Sequence, residues 1–494
     1  MADFRIHIDD FTGGISSDEE KGFPGAFIFA QNCNIHNRKG LLQSNPKTTA
    51  MTEAESPNNI NGPVYWIKAA SNSKVYATGG VTEGIRIYEM DPYVATPTWT
   101  LVHTDANAGT YGGLIEYKDY LYWAGNATAG RYGPLSGTPA WTDSWQTLNA
   151  CDWHPMFIGD DDKLYIGNGS NLASWDGTTF TSAALDLPTG TEIKCLSKLR
   201  YNIAIGTRQD YTNIKPKKAK IFFWDYNSES WNDSLPIDEY EILAMIYHNG
   251  ILKFSAGDFG DLYYYNGTNL EKKFSFARDE NDLPIGIYPG GMIIYRGKLH
   301  IGVGRKFESS TGNIPSGVYS FGRKNSNFPE VPNLEYTVAS GNINTGNVTI
   351  FSLESTGGRK QPPALLEKPE TLYLGVIDQN GSGFAIETTD VKASVYVSNI
   401  VYESLIQDAG RPEKRKLWKK INIVGRDFSS SNTVTVKYKD DYASFWTTVG
   451  TINTDIKHKG FDIRVEARKL QIRLELAGAA KIKNIILEGD YLSI

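Results

Sequence analysis

Cysteine is scarce: Cys33, Cys151 and Cys195 are the 3 in a chain of 494 residues. An odd number at wide spacing gives neither a disulfide framework nor a zinc site and reads as buried free thiols. Histidine is nearly as thin. His7, His36, His103, His154, His248, His300 and His458 are scattered without metal-ligand spacing, so no metal or cofactor is expected. No apolar run approaches the roughly 20 residues of a membrane helix. The opening Met1-Ala2-Asp3-Phe4-Arg5-Ile6 lacks a basic region followed by an apolar core, so no secretion signal is read there. These absences predict a soluble protein made in a reducing cytosol, or released from one by lysis. A positive excess is missing too: 50 Lys+Arg against 56 Asp+Glu leave a net charge of −6. That excludes the general attraction of a basic domain to nucleic acid, while leaving room for local basic patches. Long amphipathic helices are absent, as are a Gly-x-Ser-x-Gly elbow and a Walker-type phosphate loop.

What is present is strand material. Gly at 48 and Tyr at 28 are both high, as expected of many short strands joined by tight turns. A short phrase recurs, a few alternating apolar or aromatic residues and then Gly, at 74–79, 120–125, 163–167, 202–206, 252–257, 298–302 and 372–375. The copies fall roughly 40–50 residues apart until the last, a period that signals propeller blades. A further aromatic strand follows each of several copies, among them Leu262-Tyr263-Tyr264-Tyr265 and Val318-Tyr319-Ser320-Phe321. Trp99, Phe180, Trp231 and Phe274 mark outer strands. Alternation places one row of aromatics between blades. The closing Gly permits a positive φ or close backbone approach.

The chain is all-β and divides into three. Residues 1–60 do not fit the repeat and read as an extended arm lying over its own propeller or a neighbouring subunit. Residues 61–388 are a propeller of about seven blades, the count left open between six and eight by the irregular 336–389 segment. Residues 389–494 change texture to clean alternating strands, which describe a jelly-roll-like β-sandwich; a helix is admitted only in their basic stretch at 410–420. Two long insertions interrupt the economical repeat, a basic loop within 207–220 and a Gly/Pro-rich stretch within 354–369.

Catalytic candidates are weighed against bland roles. Asp160-Asp161-Asp162 and the pair Asp258 and Asp261 are the carboxylates a propeller glycosidase would need. Both groups sit in turns, where Asp is common for its own hydrogen bonds, and turn roles are favoured. Trp175-Asp176-Gly177-Thr178-Thr179-Phe180 partly resembles the Asp-box turn of sialidases. Like Tyr265-Asn266-Gly267-Thr268, it is best read as a hairpin. No catalytic, cofactor or metal residue is assigned. Tyr263, Tyr265 and Trp446 are candidates for stacking on a host surface glycan. Candidate interface residues are Phe11, Gly13 and Gly14 of the arm, Lys215, Lys217 and Lys218 of the basic loop, and Lys414, Arg415, Lys416 and Trp418. The last group could meet phosphates or an anionic glycan; the favoured alternative is a strand edge protected by lysines.

Two regions resemble a known group. Phe11-Thr12-Gly13-Gly14-Ile15, then Ala30-Gln31-Asn32 and Gly40-Leu41-Leu42-Gln43-Ser44, resembles the N-terminus of tailed-bacteriophage virion proteins. The run 432–438, 445–451 and 470–476 is similar to a sandwich appended to phage minor tail proteins. The resemblance implies a non-enzymatic virion component, a tail nozzle, tail-tip or hub protein made in the host cytoplasm. It implies a ring-like homo-oligomer that contacts other tail proteins or fibres and lets DNA pass without reading its sequence. The chain is short for a nozzle and has few insertion domains. A glycan- or receptor-binding tail module and a polysaccharide-degrading propeller enzyme are the alternatives.

Overall fold

A computed structural model describes the chain apart from residues 1–2, 17, 37–40, 46–47, 52–62, 82–83, 95–96, 107–112, 210–217, 277–284, 306–315, 324, 326, 338–347, 357–370, 379–382, 390–399, 442 and 493–494. Most of the described residues are in strands, and the single helical element among them is a 3-10 turn at Pro289–Gly291. The chain separates into two compact units, one of residues 1–48, 318–337 and 390–494, the other of residues 49–317 and 338–389.

The larger unit is a β-propeller. It contains six four-stranded antiparallel sheets, each built from strands adjacent in sequence, except that the last takes one strand from the N-terminal region. A further sheet contributes Met292–Tyr295 and Lys298–Arg305. The first strand of each blade lies innermost. In order these are Val64–Ala69, Leu114–Tyr117, Met156–Ile158, Thr191–Leu199, Ile242–His248, Met292–Tyr295 and Val348–Thr356. Each packs against the next, and Val348–Thr356 packs back onto Val64–Ala69, so the wheel closes with seven blades. Closure uses an early strand: Thr48–Ala50 forms the outer strand of the seventh blade, and the Met51 N–H donates to Ile386 O at 2.9 Å.

Local chemistry explains the blade pattern. Thr191–Leu199 buries every second residue; Cys195 and Leu199 pack toward the next blade with Ile242 and Leu252, and half-buried Leu196 packs with Phe157 and Tyr165 of the preceding one. The repeated glycine makes room for the next blade. A Cβ on Gly206 would lie 2.6 Å from Cys195 Sγ and 3.0 Å from Ile242 Cγ2, and one on Gly375 would lie 2.7 Å from Val64 O. Between-blade aromatics follow the expected rows: Trp123, Tyr122, Tyr165 and Phe222 are almost wholly buried.

The smaller unit is a two-sheet sandwich. One sheet holds Lys416–Arg426 between Lys481–Tyr491 and His458–Ala467, with Asp3–Ile8 antiparallel to Lys481–Tyr491. The other orders Gly317–Gly322, Val331–Tyr336, Phe27–Gln31, Ile400–Ser404, Leu470–Leu476, Val434–Asp440 and Thr447–Ile452. A common core joins Phe11, Phe27, Leu42, Tyr402, Trp418 and Leu474.

Two expectations are corrected here. Residues 1–48 are not an arm laid over the surface, because they supply core residues and strands to the sandwich. The basic stretch forms no helix: its second half is the start of the Lys416–Arg426 strand, and the residues before it are turns.

Candidate functional site

The N-terminal interface candidates lie inside the protein. Phe11 is fully buried, its ring edge-on to Tyr402 at 5.3 Å. The Gly13 N–H donates to Gly25 O at 3.0 Å, leaving no space for a side chain. Gly14 has φ +74°, and a Cβ there would sit 2.7 Å from Val331 Cγ2. These glycines serve close backbone approach, so a surface role for Phe11, Gly13 and Gly14 is overturned. The next element of the resemblance is also internal. Asn32 adopts φ 57° and is 1% exposed. Its Oδ1 accepts from the Thr337 N–H at 2.9 Å and the Thr337 hydroxyl at 2.8 Å, while its carbonyl accepts from the Asn45 N–H at 2.9 Å.

The basic stretch is likewise absorbed by the fold. Lys416 is buried, and its ammonium donates to the carbonyls of Arg411 at 2.6 Å, Lys414 at 2.8 Å and Arg468 at 2.8 Å. Trp418 is buried, and its indole N–H donates to Ala467 O at 3.2 Å. Its strand is flanked on both sides, so the protected-edge reading is also corrected. Lys414 is half-buried; Arg415 is exposed and lies 3.7 Å from Glu466. Lys218 is exposed and paired with Asp238, while Lys215 and Lys217 lie outside the described residues, as do 357–369 of the second insertion. Of the aromatic candidates, Tyr265 is buried, Tyr263 is half-buried against Phe254, and half-buried Trp446 carries the Arg473 guanidinium over its ring at 5.8 Å.

The singled-out carboxylates take structural roles. Asp160 pairs with Lys198 at 2.7 Å, and Asp161 accepts from the Tyr165 hydroxyl at 2.8 Å. Asp162, at φ 57°, accepts the Tyr117 hydroxyl on its carbonyl at 2.6 Å. Asp261 is buried and paired with Lys272, and Asp258 Oδ1 accepts from the Tyr240 hydroxyl at 2.7 Å. Asp176 makes the hairpin turn expected of it, accepting on Oδ1 from the N–H groups of Thr178 and Thr179, both at 2.7 Å. Those N–H donors, with the Thr178 hydroxyl, hold its carboxyl down at about 2. Asp225 and Asn266 repeat the device between the third and fourth strands of the next two blades. His154 is a buried structural histidine. Burial lowers its pKa, its Nδ1 is 2.7 Å from Gly167 O, and Nε2 lies 3.4 Å from the Cys151 thiol, which can donate to it.

The sequence reading missed a cleft at the centre of the wheel. It has a volume of about 290 Å³ and is lined from the third to the sixth blades. Asp152, Trp153, Tyr240, Glu241 and Tyr288 come from segments entering first strands, and Arg208 and Asp258 from the ends of second strands. Aromatics from blades far apart in sequence meet here. Trp153 and Tyr65 are buried together, with Trp66 and Tyr288 packed on them and the Trp66 and Trp153 rings 6.1 Å apart. The Lys194 ammonium lies 3.3 Å from Glu192 and 4.0 Å from Glu241. Burial opposes the Arg208 charge, but Glu241 and Glu192 outweigh it and raise its pKa. Burial and the bond to Asp258 push the Tyr240 hydroxyl well above the ordinary phenol range. Apart from Asp258, each of these residues sits outside any spacing motif, so only the closed wheel brings them together.

No group of three or more His, Cys, Asp or Glu among the described residues could hold a metal ion. No described helix is long and apolar enough to cross a membrane. No family model matches the chain, and no curated protein matches it. Among solved structures it is similar to the Neurospora crassa Pan2 WD40 domain, at 10% identity and TM-score 0.45, over 71% of this chain and 96% of that one. It is also similar to YjhT, at 12% identity and TM-score 0.40, over 56% of this chain and 99% of that one. A structure described as a glycoside hydrolase matches at 12% identity and TM-score 0.27, over 87% of this chain and 100% of that one. The propeller assignment rests on strand order and closure; the function is left to the site.

Proposed function

We propose that this chain is a structural component of a bacteriophage tail, a subunit of a symmetric nozzle or tail-tip assembly that contacts neighbouring tail proteins or fibres. The observation that carries the reading is the place of the resemblance-bearing residues. Phe11, Gly13, Gly14, Asn32 and Leu42 are all packed into the sandwich unit, so the N-terminal signature marks an architecture instead of a detachable tag. A closed wheel with protected sheet edges is a stiff building block, and ring assembly needs heterologous contacts from its surface. The turn and ion-pair roles of the candidate carboxylates support a scaffold over a polysaccharide-degrading enzyme. Aromatics of the first, third and sixth blades meet at the wheel's centre, so any DNA passage belongs to the lumen of an assembled ring. Cryo-electron microscopy of virions that carry the chain tests the reading, with mass spectrometry of isolated tails. Density for a ring of wheel-plus-sandwich subunits is expected, and absence of the chain from the particle refutes it.

A further inference from the structure

We propose that the central cleft is a binding site for a neutral saccharide, with one pyranose unit held between Arg208 and Asp152 against Trp153 and Tyr288. The inference goes beyond the tail reading and does not depend on it. Volume sets the scale. At about 290 Å³ the cleft lies at the small end of ligand sites, which suits one sugar ring and not an extended chain. The wall chemistry fits a polyol. Half-buried Tyr288 supplies apolar ring surface with the buried Trp153 closing the wall beside it, while charged groups supply both donors and acceptors. Lys194 and Asp258 are engaged with neighbouring side chains. The Arg208 guanidinium and the Asp152 carboxylate make no hydrogen bond or ion pair of their own among the described residues, although both line the cleft. A sugar hydroxyl can donate to Asp152 while another accepts from Arg208, which a purely apolar ligand cannot do.

Charge chooses the class of sugar. Asp152, Glu241 and Asp258 line the cleft against Lys194 and Arg208, and Glu192 stands beside Lys194. The local balance is therefore negative, which disfavours a uronic or sialic acid and favours a neutral hexose or N-acetylhexosamine. Isothermal titration with glucose, galactose, mannose, N-acetylglucosamine and glucuronic acid on the full chain tests this. Binding of at least one neutral sugar is expected. Arg208→Gln and Asp152→Asn should each weaken it about tenfold or more, as charge-assisted hydrogen bonds are worth ~1.5–3 kcal/mol. Asp152 is exposed, so its substitution leaves the fold intact and the melting temperature should stay unchanged. Trp446→Ala, in the sandwich unit, should bind as the parent does. The proposal fails if none of the neutral sugars binds. It also fails if both cleft variants bind unaltered, if glucuronic acid binds more tightly than glucose, or if only Trp446→Ala loses binding.

Discussion

At the scale of single residues, the side chains that stand out in the sequence mostly turn out to serve the backbone. Asp176 and Asp225 are only half-buried, yet each holds its turn through several N–H donors that lower its carboxyl from 3.8 to about 2. The sign of the pH dependence follows. A depressed folded pKa gives stability that is complete above the unfolded value and is lost as pH falls through the folded one. The double variant Asp176→Asn/Asp225→Asn keeps the Oδ1 acceptor of the turn N–H groups, replaces Oδ2 by an amide NH2 and removes the charges. It should melt below the parent at neutral pH, with the deficit shrinking between about pH 5 and about pH 2 as the parent's carboxylates take up protons. A deficit constant across that window would show that the charge contributes nothing. Turn chemistry at Asp176 and Asn266 is legible in sequence because an Asx turn is local, spanning three or four residues. The burial of Lys416 and Trp418 is not, because the Lys416 ammonium needs the carbonyl of Arg468, 52 residues on, beside the nearby ones of Arg411 and Lys414, and the Trp418 indole needs that of Ala467.

At the scale of elements, the repeated glycine is the hinge between pattern and packing. Its recurrence is visible in the sequence, where it reads as closing the second strand, whereas Gly206, Gly302 and Gly375 lie within that strand; its reason lies in the neighbouring blade. At Gly206 the space that a methyl would need is held by Cys195 within the blade and by Ile242 of the next. Gly206→Ala should therefore cost about 1–3 kcal/mol by overpacking, read as a lower midpoint in urea with an unchanged slope. A neutral result would mean that the blades can part at that point. Strand alternation is equally legible, since Leu470–Leu476 and Thr191–Leu199 bury every second residue as their sequences suggest. Alternation records one buried face and cannot announce a second: all six residues of Gly317–Gly322 are buried.

At the scale of the molecule, the chain enters and leaves the sandwich unit more than once, at 48/49, 317/318, 337/338 and 389/390. A boundary drawn at a change of texture, such as 389, misses this. Residues 389–494 expressed alone lack Phe11, Phe27 and Leu42 of the core and the strand pairing of Phe27–Gln31 with Ile400–Ser404. That fragment should show a poorly dispersed NMR spectrum and bind a hydrophobic dye, whereas the full chain should not. A cooperatively folded fragment would mean that the N-terminal residues decorate a finished sandwich.

The sequence by itself determined the all-β class, the blade period, the hairpin turns and the absence of metal-ligand spacing, because each is written in neighbours a few residues apart. The tertiary structure alone decided that the wheel closes at seven blades on an N-terminal strand, that the first 48 residues are core, and that Asp152, Arg208 and Tyr288 share one cleft. These depend on contacts between residues tens to hundreds of positions apart. Such contacts are selected by which buried faces and unpaired backbone groups complement one another once the chain has folded.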